Sequence, residues 1–147
     1  MERAGVRLDA DELSRFGEAL GRSLRASPAA VIGFSGELGT GKTTLVQAIC
    51  RGVGAAVPAT SPTYALVHHY RAGDRQVYHV DCYRLKTPDE ARDLGFEDMV
   101  REGGAGERGA IVLIEWPERA GSWAPPLDKH FRLAYDADPG HRLLEET

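Results

Sequence analysis

Apolar residues recur along the chain in two rhythms, and the changes between them mark the elements. Leu13, Phe16, Leu20 and Leu24 fall at three- and four-residue intervals. That is the period of one helical face, so the spacing predicts an amphipathic helix over residues 10–25 packed on a sheet. Asp9 stands before it with Glu12 three residues on, the pattern of a capping box in which two side chains satisfy two backbone N–H groups. Pro28 ends the connection, and Ala29-Ala30-Val31-Ile32-Gly33-Phe34 follows as an unbroken run of buried-strand type. From Thr44 to Val53 the helical period returns, with Leu45, Ile49 and Val53 on one face and Gly52 and Gly54 near the end.

Leu66, Val67 and Tyr70 predict a strand, Gly73-Asp74 a turn, and Val77–Tyr83 a returning strand, so a hairpin is expected. Two-residue alternation puts Val77, His79, Asp81 and Tyr83 on one face, with Tyr78, Val80 and Cys82 on the other. Thr87-Pro88-Asp89-Glu90 has the composition of a helix start with threonine cap and closing glutamate. That helix is expected to stop near Gly95, with a short turn at 96–101 and a glycine-rich loop at 103–106. Ile111–Ile114 is a continuous apolar strand of the doubly buried kind, running into Glu115-Trp116-Pro117. Trp123 and Pro125-Pro126 read as loop. Phe131, Leu133 and Tyr135 alternate as a last strand before a tail holding His141 and Arg142. Strands alternating with helices predict one α/β domain over residues 1–147, a three-layer sandwich with a mainly parallel central sheet and an antiparallel hairpin.

Between the first strand and its helix lies Gly36-Glu37-Leu38-Gly39-Thr40-Gly41-Lys42-Thr43, a full match to the phosphate-loop pattern G-x-x-x-x-G-K-[ST]. Glycines let consecutive N–H groups turn inward as an anion nest, and the following helix adds its positive end. The lysine sets a cation against the β- and γ-phosphates, and the threonine hydroxyl suits Mg²⁺. The sequence therefore predicts that the chain binds a nucleoside triphosphate. The net charge of −4 argues against a broad nucleic-acid-binding face. The chain has no asparagine, which removes the N-K-x-D signature of many GTPases and favours ATP. No run approaches a membrane span, and Cys50 and Cys82 read as buried reduced thiols, so a cytoplasmic setting is expected.

A phosphate loop needs acidic partners for Mg²⁺ and water. In an open α/β sheet the ligand lies beyond the carboxyl ends of the strands, which brings Asp81 and Glu115 toward Lys42 and Thr43. Glu115 follows four apolar strand residues, the shape of a Walker B strand; its alternative is a surface carboxylate. For Asp81 the alternative is an ion pair with Arg84. Thr60-Ser61-Pro62-Thr63 reads equally as a γ-phosphate-sensing loop or an ordinary turn. His79 reads as a packed histidine ahead of a base, His68 and His69 as solvated, and Trp116 as core or pocket wall.

The phosphate loop, Thr60-Ser61-Pro62-Thr63-Tyr64, His79-Val80-Asp81-Cys82-Tyr83-Arg84-Leu85 and Glu115-Trp116-Pro117, in that order, resemble the TsaE family. The resemblance implies the small ATPase of bacterial tRNA threonylcarbamoyladenosine modification, acting on the TsaB–TsaD complex and reaching tRNA only through it, as a monomer or weakly self-associating chain. It implies ATP and Mg²⁺ as cofactors, with Thr43, Asp81 and Glu115 at the metal and Asp81 and Glu115 in hydrolysis. Glu37, Leu38, Gly39, Thr40, Gly41, Lys42, Thr43 and Thr44 become the nucleotide-binding candidates, joined by Thr63 in a switch-like loop and Arg142 late in the chain. Two rivals remain. A small-molecule kinase would need an arginine-rich lid, and the 101–108 segment is glycine-rich instead. The other rival is a nucleotide-gated binding module with little hydrolysis.

Overall fold

The parallel part of the sheet forms where the sequence is most uniformly apolar. The computed structural model describes residues 5–55, 66–73, 75–101 and 109–147. Its strands are β1 (Val6–Asp9), β2 (Ala30–Ser35), β3 (Val67–Ala72), β4 (Arg75–Asp81), β5 (Ile111–Glu115), β6 (Lys129–Tyr135) and β7 (His141–Glu146). They make one sheet in the order β1-β7-β6-β2-β5-β4-β3. Strands β6, β2, β5 and β4 run parallel in the centre, and β3 pairs antiparallel with β4 as the expected hairpin.

The opposite edge differs from expectation. Residues 141–146 are not a tail but β7, antiparallel to β6 and to β1. Neither added strand carries a strong apolar signal. Leu144 is the one buried residue of β7, and Val6 of β1 stays 54% exposed. Their pairing rests on backbone hydrogen bonds along the edge of the sheet.

Helices α1 (Ala10–Leu24) and α2 (Lys42–Val53) cover one face. There Leu13, Leu45 and Ile49 pack on Ile32, Phe34, Ile111, Leu113 and Phe131. The other face buries Val31, Val80, Val112 and Ile114 beneath Leu85, Ala91, Phe96 and Met99. Alternate residues of β2 and β5 thus serve opposite cores, as a doubly buried strand must. The Asp9–Glu12 capping box of α1 is present in both directions. After Thr87 the chain forms a 3₁₀ segment, Pro88–Leu94, and no capping box. Glu90 N–H donates to the Thr87 carbonyl at 3.2 Å instead of its side chain, and Gly95 at φ 82° closes the segment. Helix α3 (Phe96–Arg101) follows. Trp123 lies at the end of a second 3₁₀ segment, Pro117–Trp123, rather than in a loop. The glycine-rich loop read at 103–106 lies outside the described residues. Among those described, no helix is long and apolar enough to cross a membrane.

The two helices meet at glycines. A Cβ on Gly52 would stand 2.1 Å from the Glu18 carbonyl oxygen, and one on Gly21 would stand 2.2 Å from that of Ile49. Backbone cannot retreat as a flexible side chain can. Gly52→Ala is therefore expected to cost about 2–3 kcal/mol, read as a drop in Tm of roughly 5–10 °C in a thermal melt.

Candidate functional site

Three glycines shape the turn between β2 and α2. Gly36, Gly39 and Gly41 have φ of 142°, 78° and 102°, a region that other residues enter at a cost. A side chain at Gly36 would also strike the Leu133 carbonyl, 2.2 Å from its Cβ. Helix α2 starts with no side-chain cap and no acidic residue in its first turn. Its first N–H groups and positive end are therefore left for an anion.

Lys42 is 4% exposed and folds back into the turn. Its ammonium donates to the carbonyls of Gly36 at 2.6 Å and Glu37 at 2.7 Å, with the Trp116 ring centroid 4.6 Å away. Burial pushes its pKa down, and the carboxylates of Glu115, Asp81 and Glu118 pull it back up. Thr40 closes the same turn, donating its hydroxyl to the Glu37 carbonyl at 2.7 Å.

Register brings the acidic residues here. Phe34 of β2, Glu115 of β5 and Asp81 of β4 stand side by side at the carboxyl ends of parallel strands. Glu115 is 3% exposed. The Thr43 hydroxyl lies 3.0 Å from each of its oxygens, and His79 Nε2–H donates to Oε2 at 2.6 Å. Asp81 is half-buried, its Oδ1 accepting the Tyr83 N–H at 2.9 Å. Lys42, Thr43, Thr44, Asp81 and Glu115 line one cleft of about 260 Å³, with Tyr83 and Trp116 also in its wall. A larger cleft of about 780 Å³, between α3 and the second 3₁₀ segment, holds none of these groups. Chemistry, not size, selects the site.

Trp116 holds φ 58° and ψ 51°, and it alone among the described non-glycine residues has a positive φ. Its N–H donates to the Phe34 carbonyl at 2.9 Å, tying the end of β5 to β2. The ring meets Tyr83 at 5.2 Å, and the Arg119 guanidinium lies 4.9 Å from Tyr83 and 5.3 Å from Trp116. On the other side of the loop, Tyr135 donates its hydroxyl to the Leu38 carbonyl. Arg142 of β7 lies over the Tyr135 ring at 5.0 Å and reaches the Gly39 carbonyl at 3.4 Å.

This arrangement coincides with a known sequence family over nearly the whole chain. A family model described as threonylcarbamoyl adenosine biosynthesis protein TsaE matches residues 8–143. The chain belongs to the TsaE family. It is 34% identical to a Haemophilus influenzae protein named tRNA threonylcarbamoyladenosine biosynthesis protein TsaE, over 93% of this chain and 87% of that one. A Nostoc protein of the same name is 37% identical over 95% and 82%, and one from Treponema pallidum 33% over 95% and 96%. A crystal structure of Bacillus subtilis YdiB superposes on all of this chain and 87% of that one with a TM-score of 0.69 at 21% identity, a likeness of fold.

In this TsaE-family chain the structure gathers Leu38, Gly39, Gly41, Lys42, Thr43, Thr44, Asp81 and Glu115 at one cleft and sets Arg142 against the loop, while Thr40 is buried within the turn and Glu37 meets Lys42 and Thr40 through its carbonyl. Thr63, with the rest of Thr60–Tyr64, lies outside the described residues. Trp116 is a wall of the cleft. His68 is not a free strand residue: its ring lies 5.7 Å from that of His79, and burial pushes its pKa down. His79, read as packed ahead of a base, is packed and hydrogen-bonded to Glu115, and sequence reasoning does not single out Tyr83, Arg119 or Tyr135 for the site. For His79 a signal existed in its two-residue spacing from Asp81, which aims both side chains the same way.

Proposed function

We propose that this chain binds ATP with Mg²⁺ and hydrolyses it, driving a step of tRNA threonylcarbamoyladenosine modification at position 37 through the TsaB–TsaD complex. The observation that carries the reading is that Lys42, Thr43, Glu115 and Asp81 face one cleft at the open end of α2. The curved backbone of residues 37–43 supplies N–H donors for the phosphates. Lys42 exchanges the Gly36 and Glu37 carbonyls for phosphate oxygens. That exchange sets its charge where negative charge grows during transfer. The Thr43 hydroxyl and the Glu115 carboxylate would hold Mg²⁺, which prefers hard oxygen ligands, with Asp81 reaching it through water, and the ion would offset charge on the β- and γ-phosphates. A carboxylate of the Asp81–Glu115 pair orients the attacking water.

The test is reconstitution with TsaB, TsaD, substrate tRNA and ATP. Repeated rounds of modification are expected only when this chain is present and ATP can be hydrolysed. Equal turnover without the chain, or with a non-hydrolysable ATP analogue, overturns the proposal. Release of inorganic phosphate with no phosphorylated acceptor separates it from a small-molecule kinase.

A further inference from the structure

We infer that His79 is a positioning residue for Glu115: its Nε2–H fixes one carboxylate oxygen and turns the other toward the divalent cation of a bound nucleotide. The inference deepens the ATPase reading and rests on it. Glu115 projects from the tip of β5 on a side chain whose last torsion is soft, so the strand alone does not orient the carboxylate. His79 supplies the missing constraint. It stands on the neighbouring strand β4, opposite Leu113, so its ring crosses diagonally to the carboxylate two positions along. Nε2 lies 2.6 Å from Oε2, and the two side chains are 9% and 4% exposed. On the cleft side the carboxylate meets only the Thr43 hydroxyl among the described side-chain donors. His79 thus holds Oε2 from behind, while Oε1 has only the Thr43 hydroxyl among the described side-chain donors. The His68 ring, 5.7 Å from His79 across the β3–β4 pair, backs the imidazole in turn. Carboxylates that ligate metals are commonly oriented by such hydrogen bonds, and losing one lowers metal affinity roughly ten- to hundredfold.

The reach of the donor separates this role from packing. A glutamine side chain places its amide near the Nε2 position; an asparagine falls short of it. The experiment measures Mn²⁺ uptake by electron paramagnetic resonance, in the full chain saturated with a non-hydrolysable ATP analogue. His79→Gln is expected to hold Mn²⁺ within about threefold of the wild type, and His79→Asn roughly ten- to hundredfold more weakly. Binding of the analogue without metal is expected to match in all three. Wild-type affinity in His79→Asn, or equal loss in both variants, overturns the assignment. Should His79→Asn not fold, His79→Met fills the space without a donor and takes its place against His79→Gln, with the same two outcomes. A wild-type complex that takes up no Mn²⁺ at all fails differently, and sinks the ATPase reading together with this one.

Discussion

Lys42→Ala is expected to abolish ATP turnover for practical purposes, lowering kcat by roughly a hundred- to a thousandfold. The ammonium is the one lysine charge in the loop, and it is nearly buried beneath the Trp116 ring. Removing it from a bound triphosphate deletes a charge-assisted contact worth about 1.5–3 kcal/mol. Nucleotide affinity should therefore fall by roughly ten- to a hundredfold before chemistry is counted. The same change leaves the Gly36 and Glu37 carbonyls without their donor, so Lys42→Met, which keeps the chain length of the side chain, is the companion variant. Both are measured by titration calorimetry and by phosphate release. A folded Lys42→Ala variant with unchanged turnover would remove the phosphate-binding assignment.

The two carboxylates are expected to fail in different ways. In Glu115→Gln the side-chain amide keeps the volume and one oxygen for Thr43 and His79, but the negative charge between them is gone. Turnover should drop by at least about a hundredfold, and the Mg²⁺ concentration for half-maximal nucleotide binding should rise in parallel. Asp81 is less enclosed and is braced by the Tyr83 N–H. Asp81→Asn is expected to bind ATP within about threefold of the wild type while losing roughly a hundredfold or more in turnover. Measuring Kd against Mg²⁺ and kcat for both variants separates metal binding from water orientation. If both lose nucleotide affinity equally and keep kcat, the division of labour is wrong.

What the sequence makes legible follows from how local each signal is. The loop at 36–43 is read directly because its glycines, lysine and threonine carry backbone and chemical requirements within eight residues. The doubly buried Ile111–Ile114 strand is equally plain, since no other element keeps four apolar residues together so briefly. That Asp81 and Glu115 share one end of the sheet needs only the rule that parallel strands finish together. Strands β1 and β7 escaped because a sheet edge asks little of side chains: Arg142 and Glu146 sit there half-buried and Glu145 exposed. The 88–94 segment has the composition of an α-helix start, yet the Thr87 side chain makes no cap and the Glu90 N–H closes an i→i+3 turn on the Thr87 carbonyl, the tighter 3₁₀ pattern. The His79–Glu115 pair spans 36 positions, and only strand register brings it together. Composition carries no trace of register.

The left-handed backbone at Trp116 has an implication for how such a chain can change. A large aromatic residue in that conformation costs on the order of 1–2 kcal/mol against glycine, and the packing of its ring on the second core, Lys42, Tyr83 and Arg119 offsets that cost. Glycine there would ease the main chain and strip the roof from the Lys42 ammonium. Position 116 thus joins robustness to chemistry: the ring that covers the lysine is also what holds the main chain in its costly shape, so one substitution there would disturb both.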